Sequence, residues 1–485
     1  MNSSAVSPGR AGLLLLLTGQ MLPLIDTSIT NVALDSITHS LDASATQLEL
    51  IVALYGVSFA VCLAMGSKLG DNYGRRRLFM WGVALFGLAS LLCGMANSIG
   101  GLLAARTLQG AGAALIVPQI LTTLHVTLKG SAHARAISLY GGIGGIAFIV
   151  GQMGGGWLVS ADIAGLGWRN AFFINVPICL LVLAFSPRYV PETRREAHSA
   201  IDWQGTFSLA LILCCLLFPM ALGPELHWPW TLQLLLVAVL PLLIWMRASA
   251  LRKQQRGEQP LLPPRLLKLT SIRFGMAIAL LFFSAWSGFM FCMALTMQAG
   301  LGMALTMQAG LGMAPWQSGN SFIALGVAYF LSALYAPKLI ARFSMGRILL
   351  IGLVVQIAGL LLLMATFGHF GAHTSSLAMV PSTALIGYGQ ALIVNSFYRI
   401  GMRDISASDA GAGSAILSTL QQATLGLGPA ILGSLFLTLA QRGGGTYPQA
   451  LIDFLAVEVA MMLLLGAMAL RLRHHLNIRP VATAS

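Results

Sequence analysis

Two charged residues stand where long apolar runs leave no water to solvate them. Asp26 lies in Leu24-Ile25-Asp26-Thr27-Ser28-Ile29-Thr30-Asn31-Val32-Ala33-Leu34, and Arg106 in Arg106-Thr107-Leu108-Gln109-Gly110-Ala111-Gly112-Ala113-Ala114. A charge inside a bilayer is costly, so each must face a cavity or a partner. A guanidinium cannot shed its charge, whereas a carboxylate can take up a proton and release it again. Burial and a neighbouring cation act on that proton in opposite directions, which suits a group that exchanges it in cycles. Asp26 is therefore the expected proton-exchanging group, and Arg106 its partner. Asn31, Gln109 and, in the last apolar run, Glu458 are further polar candidates for contact with a transported molecule. Glu49 and Asp453 sit near the edges of apolar runs and are expected to be solvated.

Gly66-Ser67-Lys68-Leu69-Gly70-Asp71-Asn72-Tyr73-Gly74-Arg75-Arg76-Arg77 is a short cationic hinge between two membrane-length segments. Asp71 and Arg75 can clamp neighbouring helix ends, and Gly66, Gly74 and Arg76 complete the candidate switch. Farther on, Gly151-Gln152-Met153-Gly154-Gly155-Gly156 brings small residues together, the composition that lets helices approach closely and bend. No metal-ligand spacing, nucleophile–base pair or phosphate-binding loop is present, so the sequence implies no cofactor, no enzyme and no ATP-driven pump.

These residues need membrane helices to hold them. Hydrophobic residues make up 57% of the 485 and charged residues 9%, against about 25% charged in soluble domains. Mean hydropathy is +0.81. The net charge of +13 is scattered in short clusters between apolar runs, which argues against nucleic acid as a partner. The six cysteines all fall inside apolar runs and read as packing residues. Spans of about twenty residues are needed to cross the bilayer. Such runs occur at 11–34, 48–67, 78–97, 101–124, 136–160, 168–187, 203–222, 229–247, 274–298, 317–337, 347–368, 376–398, 411–440 and 452–471. The first is read as a retained helix rather than a cleaved leader, since it continues to Leu34.

Basic residues fall in every second loop: Arg75–Arg77, Lys129 and Arg135, Arg188 to Arg195, Arg247 to Arg273, Lys338 to Arg347, Arg399 and Arg403, and the tail. The expectation is an all-α membrane protein of 14 transmembrane helices with both termini cytoplasmic. The polar stretches 188–200 and 247–273 bracket two helices. They divide the chain into a six-helix bundle (1–187), a linker region with two extra helices and a cytoplasmic loop (188–272), and a second six-helix bundle with its tail (273–485). Met293–Gly302 is repeated letter for letter as Met303–Gly312. Ten identical residues in tandem suggest a recent duplication whose extra length protrudes outside the membrane.

The hinge Gly66–Arg77 resembles the loop between helices 2 and 3 of the major facilitator superfamily. The run from Asp26 to Leu34 resembles the first-helix motif of its fourteen-helix drug/proton antiporters of EmrB/QacA type, with Asp35 in place of the usual proline. Arg106-x-x-Gln109-Gly110-x-Gly112 resembles the superfamily's fourth-helix motif. Gly151–Gly156 resembles the exporters' Gly-Pro-x-x-Gly-Gly, with Gln152 where proline is expected, a change that removes a built-in kink. Gly167–Pro177 and Gln421–Pro429 are similar to the sixth and thirteenth helices of that branch. The resemblance implies a proton-driven antiporter in a bacterial inner membrane, exporting amphipathic drugs or toxic compounds, cationic ones among the candidates, by alternating access, and so conferring antibiotic resistance. The expected partners are a small-molecule substrate, protons and the lipid bilayer. A dedicated metabolite exporter, a proton symporter, and a non-transporting receptor or assembly subunit are the rival readings. A periplasmic adaptor is left open.

Overall fold

Apolar length drives nearly every residue of this chain into helix. The computed structural model describes residues 8–194, 200–258, 260–299, 310–405, 409–442 and 446–472. The helices are α1 (Gly9–Leu41), α2 (Ala45–Tyr73), α3 (Arg75–Met95), α4 (Ile99–Thr127) and α5 (Gly130–Ile149, continued through a π-helical turn, Val150–Gly154, into Gly155–Ser160). Then come α6 (Gly167–Tyr189), α7 (Trp203–Leu222), α8 (Trp230–Gln255) and α9 (Thr270–Gln298). The last are α10 (Pro315–Ser321 and Ile323–Arg342), α11 (Met345–Phe370), α12 (Val380–Gly401), α13 (Ala410–Gly428, a π-helical turn Pro429–Gly433, then Ser434–Arg442) and α14 (Tyr447–Arg471). Among the described residues, twelve are long and apolar enough to cross a membrane. The two that fall short are α5 and α12, the latter diluted by Gln390 and Asn395.

Local signals account for the ends. Ser44 and Gln47 form a reciprocal capping box at the start of α2. Ser98 caps α4 by accepting from the Gly101 amide. Gly74, at φ +106°, turns α2 into α3, a backbone state that a side chain would strain.

The first six helices enclose one core around Phe79, Phe86, Ile116 and Ile120. A larger core runs through α9 to α14. The two bundles cross where α2 meets α13: a Cβ on Gly56 would lie 2.4 Å from the Gly426 Cα, the close approach that small residues permit. Along that seam α7 packs Leu209, Leu213 and Leu217 against α2 and α13. α8 leans on α7 through Val239 and its neighbours, with most of its apolar surface exposed.

One end of the molecule carries the basic loops. At the far end the bundles close on each other. A Cβ on Gly156 would meet the Pro315 carbonyl at 2.5 Å, and one on Gly319 the Gln152 carbonyl at 2.2 Å. The Trp316 amide donates to Ser160 Oγ (3.1 Å), and the Trp157 and Trp316 rings lie 5.9 Å apart. Gln298 Nε2 reaches the main-chain oxygen of Asn31 at 3.4 Å.

The first copy of the duplicated decapeptide supplies the last buried turns of α9, Met293–Gln298. Residues 300–309, which hold most of the second copy, lie outside the described residues. The chain returns with the Leu311 amide on Thr296 O (2.7 Å) and the Met313 amide on Met297 O (2.7 Å).

Candidate functional site: a buried ion pair and a clamped hinge

Asp26 and Arg106 meet as their chemistry requires. Both are 0% exposed, and Arg106 Nη1 donates to Asp26 Oδ2 at 2.5 Å. Close packing of α2 on α4 makes the pair possible. A Cβ on Gly110 would strike the Tyr55 carbonyl at 2.2 Å, and that approach brings α2 within reach of the guanidinium. Arg106 Nε donates to Ile51 O (3.1 Å), and its charge lies 4.4 Å from the Tyr55 ring centroid. Arg106 Nη2 has no hydrogen-bond partner among the described residues.

Gln109 is committed to this pair rather than to an open cavity. Its Oε1 accepts from Arg106 Nη1 (2.6 Å), while Nε2 donates to Asp26 Oδ1 (2.6 Å) and Ser90 Oγ (2.9 Å). Asn175, at the start of the α-helical stretch Asn175–Tyr189 of α6, donates to the same Oδ1 at 3.0 Å. Three donors therefore converge on one carboxylate from α4 and α6. Asn175 and Ser90 were not among the expected residues; Asn175 lay in the motif Gly167–Pro177, which was the available signal. Asn31 donates only to Thr27 O within its own helix, and its Oδ1 is unpartnered.

The glycine motif of α5 packs on α1 and α10. A Cβ on Gly151 would press on Ile25 O at 2.8 Å, and one on Gly155 on the Ile29 Cγ1 at 2.2 Å. The helix is irregular here although Gln152 replaces proline: the π turn Val150–Gly154 supplies the distortion that the sequence reading had removed. Gln152 is buried with both polar side-chain atoms unpartnered.

The hinge is a clamp on α6. Arg75 binds Asp71 Oδ1 (2.5 Å), and its main-chain amide donates to Thr193 O (2.9 Å). Glu192 accepts the amides of Arg76 (3.1 Å) and Arg77 (3.3 Å) at the first turn of α3, where the helix dipole favours an acid. Arg76 Nη1 closes the loop on Pro187 O (3.1 Å). Gly66 offers its carbonyl to Gln119 Nε2 of α4 (2.8 Å). Glu192 and Gln119 carried no sequence signal, because each contributes through a main-chain group far away in the chain.

A third feature is aromatic. Phe283 and Trp286 of α9 stack 6.2 Å apart, Trp286 meets Tyr329 of α10 at 5.9 Å, and Phe283 meets Phe397 of α12 at 5.0 Å. Tyr398 beside them donates to Gln421 (2.6 Å). A π turn, Ala279–Phe283, precedes this group in α9.

Two acids differ from each other in burial. Asp453 is exposed as expected. Glu49 is not solvated: it is 0% exposed beneath α13 and α7. Its place four residues into α2 looked like a membrane edge, but the seam between the bundles covers it. Glu458 is also buried, with Oε1 unpartnered.

A helical membrane bundle with a buried acid–base pair and a clamped basic hinge defines a class of transporter, and comparison with known proteins agrees. The chain belongs to the Major Facilitator Superfamily, whose pattern matches residues 16–429. It is 33% identical to the "Probable actinorhodin transporter" of Streptomyces coelicolor, over 88% of this chain and 72% of that protein. It is 30% identical to "Multidrug resistance protein Stp" of Mycobacterium tuberculosis (86% and 74%) and 29% to "Puromycin resistance protein pur8" of Streptomyces alboniger (91% and 85%). The fold is similar to a crystal structure of the peptide transporter POT with sulfate, at TM-score 0.71 and 13% identity, over 98% of this chain and 97% of that one.

Proposed function

We propose that this chain is a proton-driven antiporter that exports amphipathic drugs, cationic ones among them, across the bacterial cytoplasmic membrane by alternating access. The buried Asp26–Arg106 pair carries the proton half of this reading. Export is supported by relatives whose names describe transport of, or resistance to, antibiotics. In the proposed arrangement 14 helices span the bilayer as 6 + 2 + 6, over 1–187, 188–272 and 273–485. Both termini and the basic loops face the cytoplasm, so the closed end is the outer one.

Proton uptake at Asp26 cancels the anion that Arg106, Gln109 and Asn175 address. Arg106 keeps its charge, so the pair must rearrange, and α1 loses its hold on α4. Because α1 also touches α5 at Gly151 and Gly155 and α9 at Gln298, that release acts on the outer closure. The Asp71–Arg75 pair and the hold of Glu192 on Arg76 and Arg77 bias the opposite end. The aromatic group of α9, α10 and α12 offers stacking faces to a planar or cationic substrate.

The test is a susceptibility panel in an efflux-deficient host, with puromycin, ethidium, benzalkonium and tetracycline, and Asp26→Asn as control. Protection by the native chain and none by the variant is the expected result. Wild-type protection by Asp26→Asn refutes the assigned role. The first relative also favours a second reading, a dedicated exporter of one compound; protection confined to a single member of the panel would select it.

A further inference from the structure

Glu49 belongs to neither the ion pair nor the hinge, and three elements converge on it. It lies on α2 of the first bundle. Its Oε2 is 3.0 Å from Ser434 Oγ on α13 of the last bundle, and the Ser434 hydroxyl oxygen is in turn 2.8 Å from Met220 O in α7. Glu49 Oε1 has no hydrogen-bond partner among the described residues. Gly433 makes the room, since a Cβ there would sit 3.0 Å from Glu49 Oε1. The π turn Pro429–Gly433 ends directly before Ser434, the kind of helix irregularity that often marks a working site.

Hydrogen counting assigns the protonation state. Met220 lies in the last turn of α7, and the residue four positions on, which would normally donate to its carbonyl, is Pro224, which has no N–H. The Ser434 hydroxyl fills that vacancy, and a hydroxyl has one hydrogen to give. Ser434 Oγ is within donating reach of both acceptors, so both contacts are made at once only if Glu49 supplies a hydrogen of its own. A neutral carboxylic acid satisfies the chain Glu49 to Ser434 to Met220. A carboxylate would set two acceptors against one hydrogen.

The surroundings offer an anion nothing in return. Glu225, in the turn after α7, is a second acid near Glu49. Cys292 of α9 is within electrostatic range of both Glu49 and Glu458 of α14. Tyr447 at the start of α14 lies near Asp35 of α1. No ion pair to Glu49 occurs among the described residues. A cleft of about 280 Å³ lined by Ser44, Thr46, Pro224, Glu225, Ser434 and Tyr447 opens at the far end. The cleft reaches the Ser434 hydroxyl, which touches the carboxyl.

We propose that Glu49 is a second proton-binding site, separate from Asp26, which exchanges its proton through Ser434 and this cleft and in its neutral form holds the two bundles and α7 together at the far end. Loss of that proton turns the Ser434 hydrogen toward Glu49, strips Met220 of its donor and sets two acids against each other. The junction then loosens and the far end opens. The site stands whether or not Asp26 couples transport, and its test needs no substrate.

Cysteines replacing Ser160 and Trp316 in the full-length protein, reconstituted in lipid nanodiscs, report the closure through cross-linking by a short bismaleimide. The series runs from about pH 5 to about pH 9. Thiolate content rises with pH, so chemistry alone would raise the yield. Cross-linking is expected to be lost toward alkaline pH with Glu49 and to persist in Glu49→Gln, whose amide donates to Ser434 as the neutral acid does. Parallel traces for the two proteins overturn the proposal. Dicyclohexylcarbodiimide, which attacks neutral carboxyls, gives a reading that needs no variant. An adduct at Glu49 that fades as pH rises supports the site, and an unlabelled Glu49 at every pH overturns it.

Discussion

Asp26 and Arg106 are unequal partners, because only one of them can escape its charge. Truncating Arg106 strands an acid that neutralises itself by binding a proton. Truncating Asp26 strands a guanidinium that cannot. Breaking a buried pair costs about 3–5 kcal/mol, and Asp26→Ala is expected to reach that range while Arg106→Ala falls below it. Thermal unfolding of the purified variants at neutral pH ranks them; a lower melting temperature for Arg106→Ala would contradict the assignment. The pair was legible in the sequence because a charge in an apolar run demands a partner. Asn175 and Ser90 were not, since a lone amide or hydroxyl on a membrane helix can satisfy itself on its own backbone, as Asn31 does. Glu49 was misread because its exposure depends on α7 and α13, more than 150 residues away in the chain.

At the scale of elements, the hinge and the loop before α9 make separate predictions. Arg75→Ala removes the guanidinium that joins Asp71 of α2 to the Thr193 hydroxyl after α6, keeps the main-chain bond to Thr193 O, and leaves the Asp26–Arg106 pair and the aromatic group untouched. Transport is expected to slow severely with substrate binding retained, read as uptake rate against equilibrium binding of ethidium. A matching fall in affinity would move Arg75 into the binding surface. Asp202 caps α7, accepts the amides of Gly205 (2.7 Å) and Leu261 (2.8 Å), and pairs with Lys253 of α8. Burial pushes its carboxyl up, but Lys253 and the two amides outweigh that and hold it below the ordinary carboxylate value. A depressed carboxyl stabilises the fold above its unfolded pKa, about 3.9 for Asp, and loses that contribution as pH falls through the folded value. Proteolysis between Arg256 and Pro264 should therefore rise at acid pH in the native chain. In Asp202→Asn it should already be high at neutral pH and nearly independent of pH.

The duplication belongs to this scale too. With Met303–Gly312 deleted, Leu301 follows Thr296 by five residues, the spacing of the 6→1 hydrogen bond that closes a helix end. It can take over the bond that Leu311 makes to Thr296. The shortened chain is expected to fold and to export drug; loss of both thermal stability and efflux would make the second copy part of the working fold. Twelve of the helices were legible from apolar length alone, and their ends agree with the sequence spans to within several residues; α5 and α12 are helices that fall short of that measure. The π turns were not, because they arise from packing between helices: α5 distorts without the proline that usually marks such a place.

On the scale of the whole molecule, the seam between the bundles is where transport must act. Gly156 and Gly319 close it by bringing backbone against backbone, so Gly319→Val is expected to hold the far end open. Cross-linking between cysteines at 160 and 316 should be lost in that variant while its melting temperature stays within a few degrees of the native value. Persistent cross-linking would mean the seam tolerates the added methyls and is not a close contact in the membrane. The central claim concerns what passes that seam in exchange for the drug. In proteoliposomes carrying a pH-sensitive dye, an imposed proton gradient should drive ethidium against the direction of proton flow. Asp26→Asn should bind ethidium yet move neither. Ethidium and protons travelling together, or undiminished exchange in Asp26→Asn, would contradict the account.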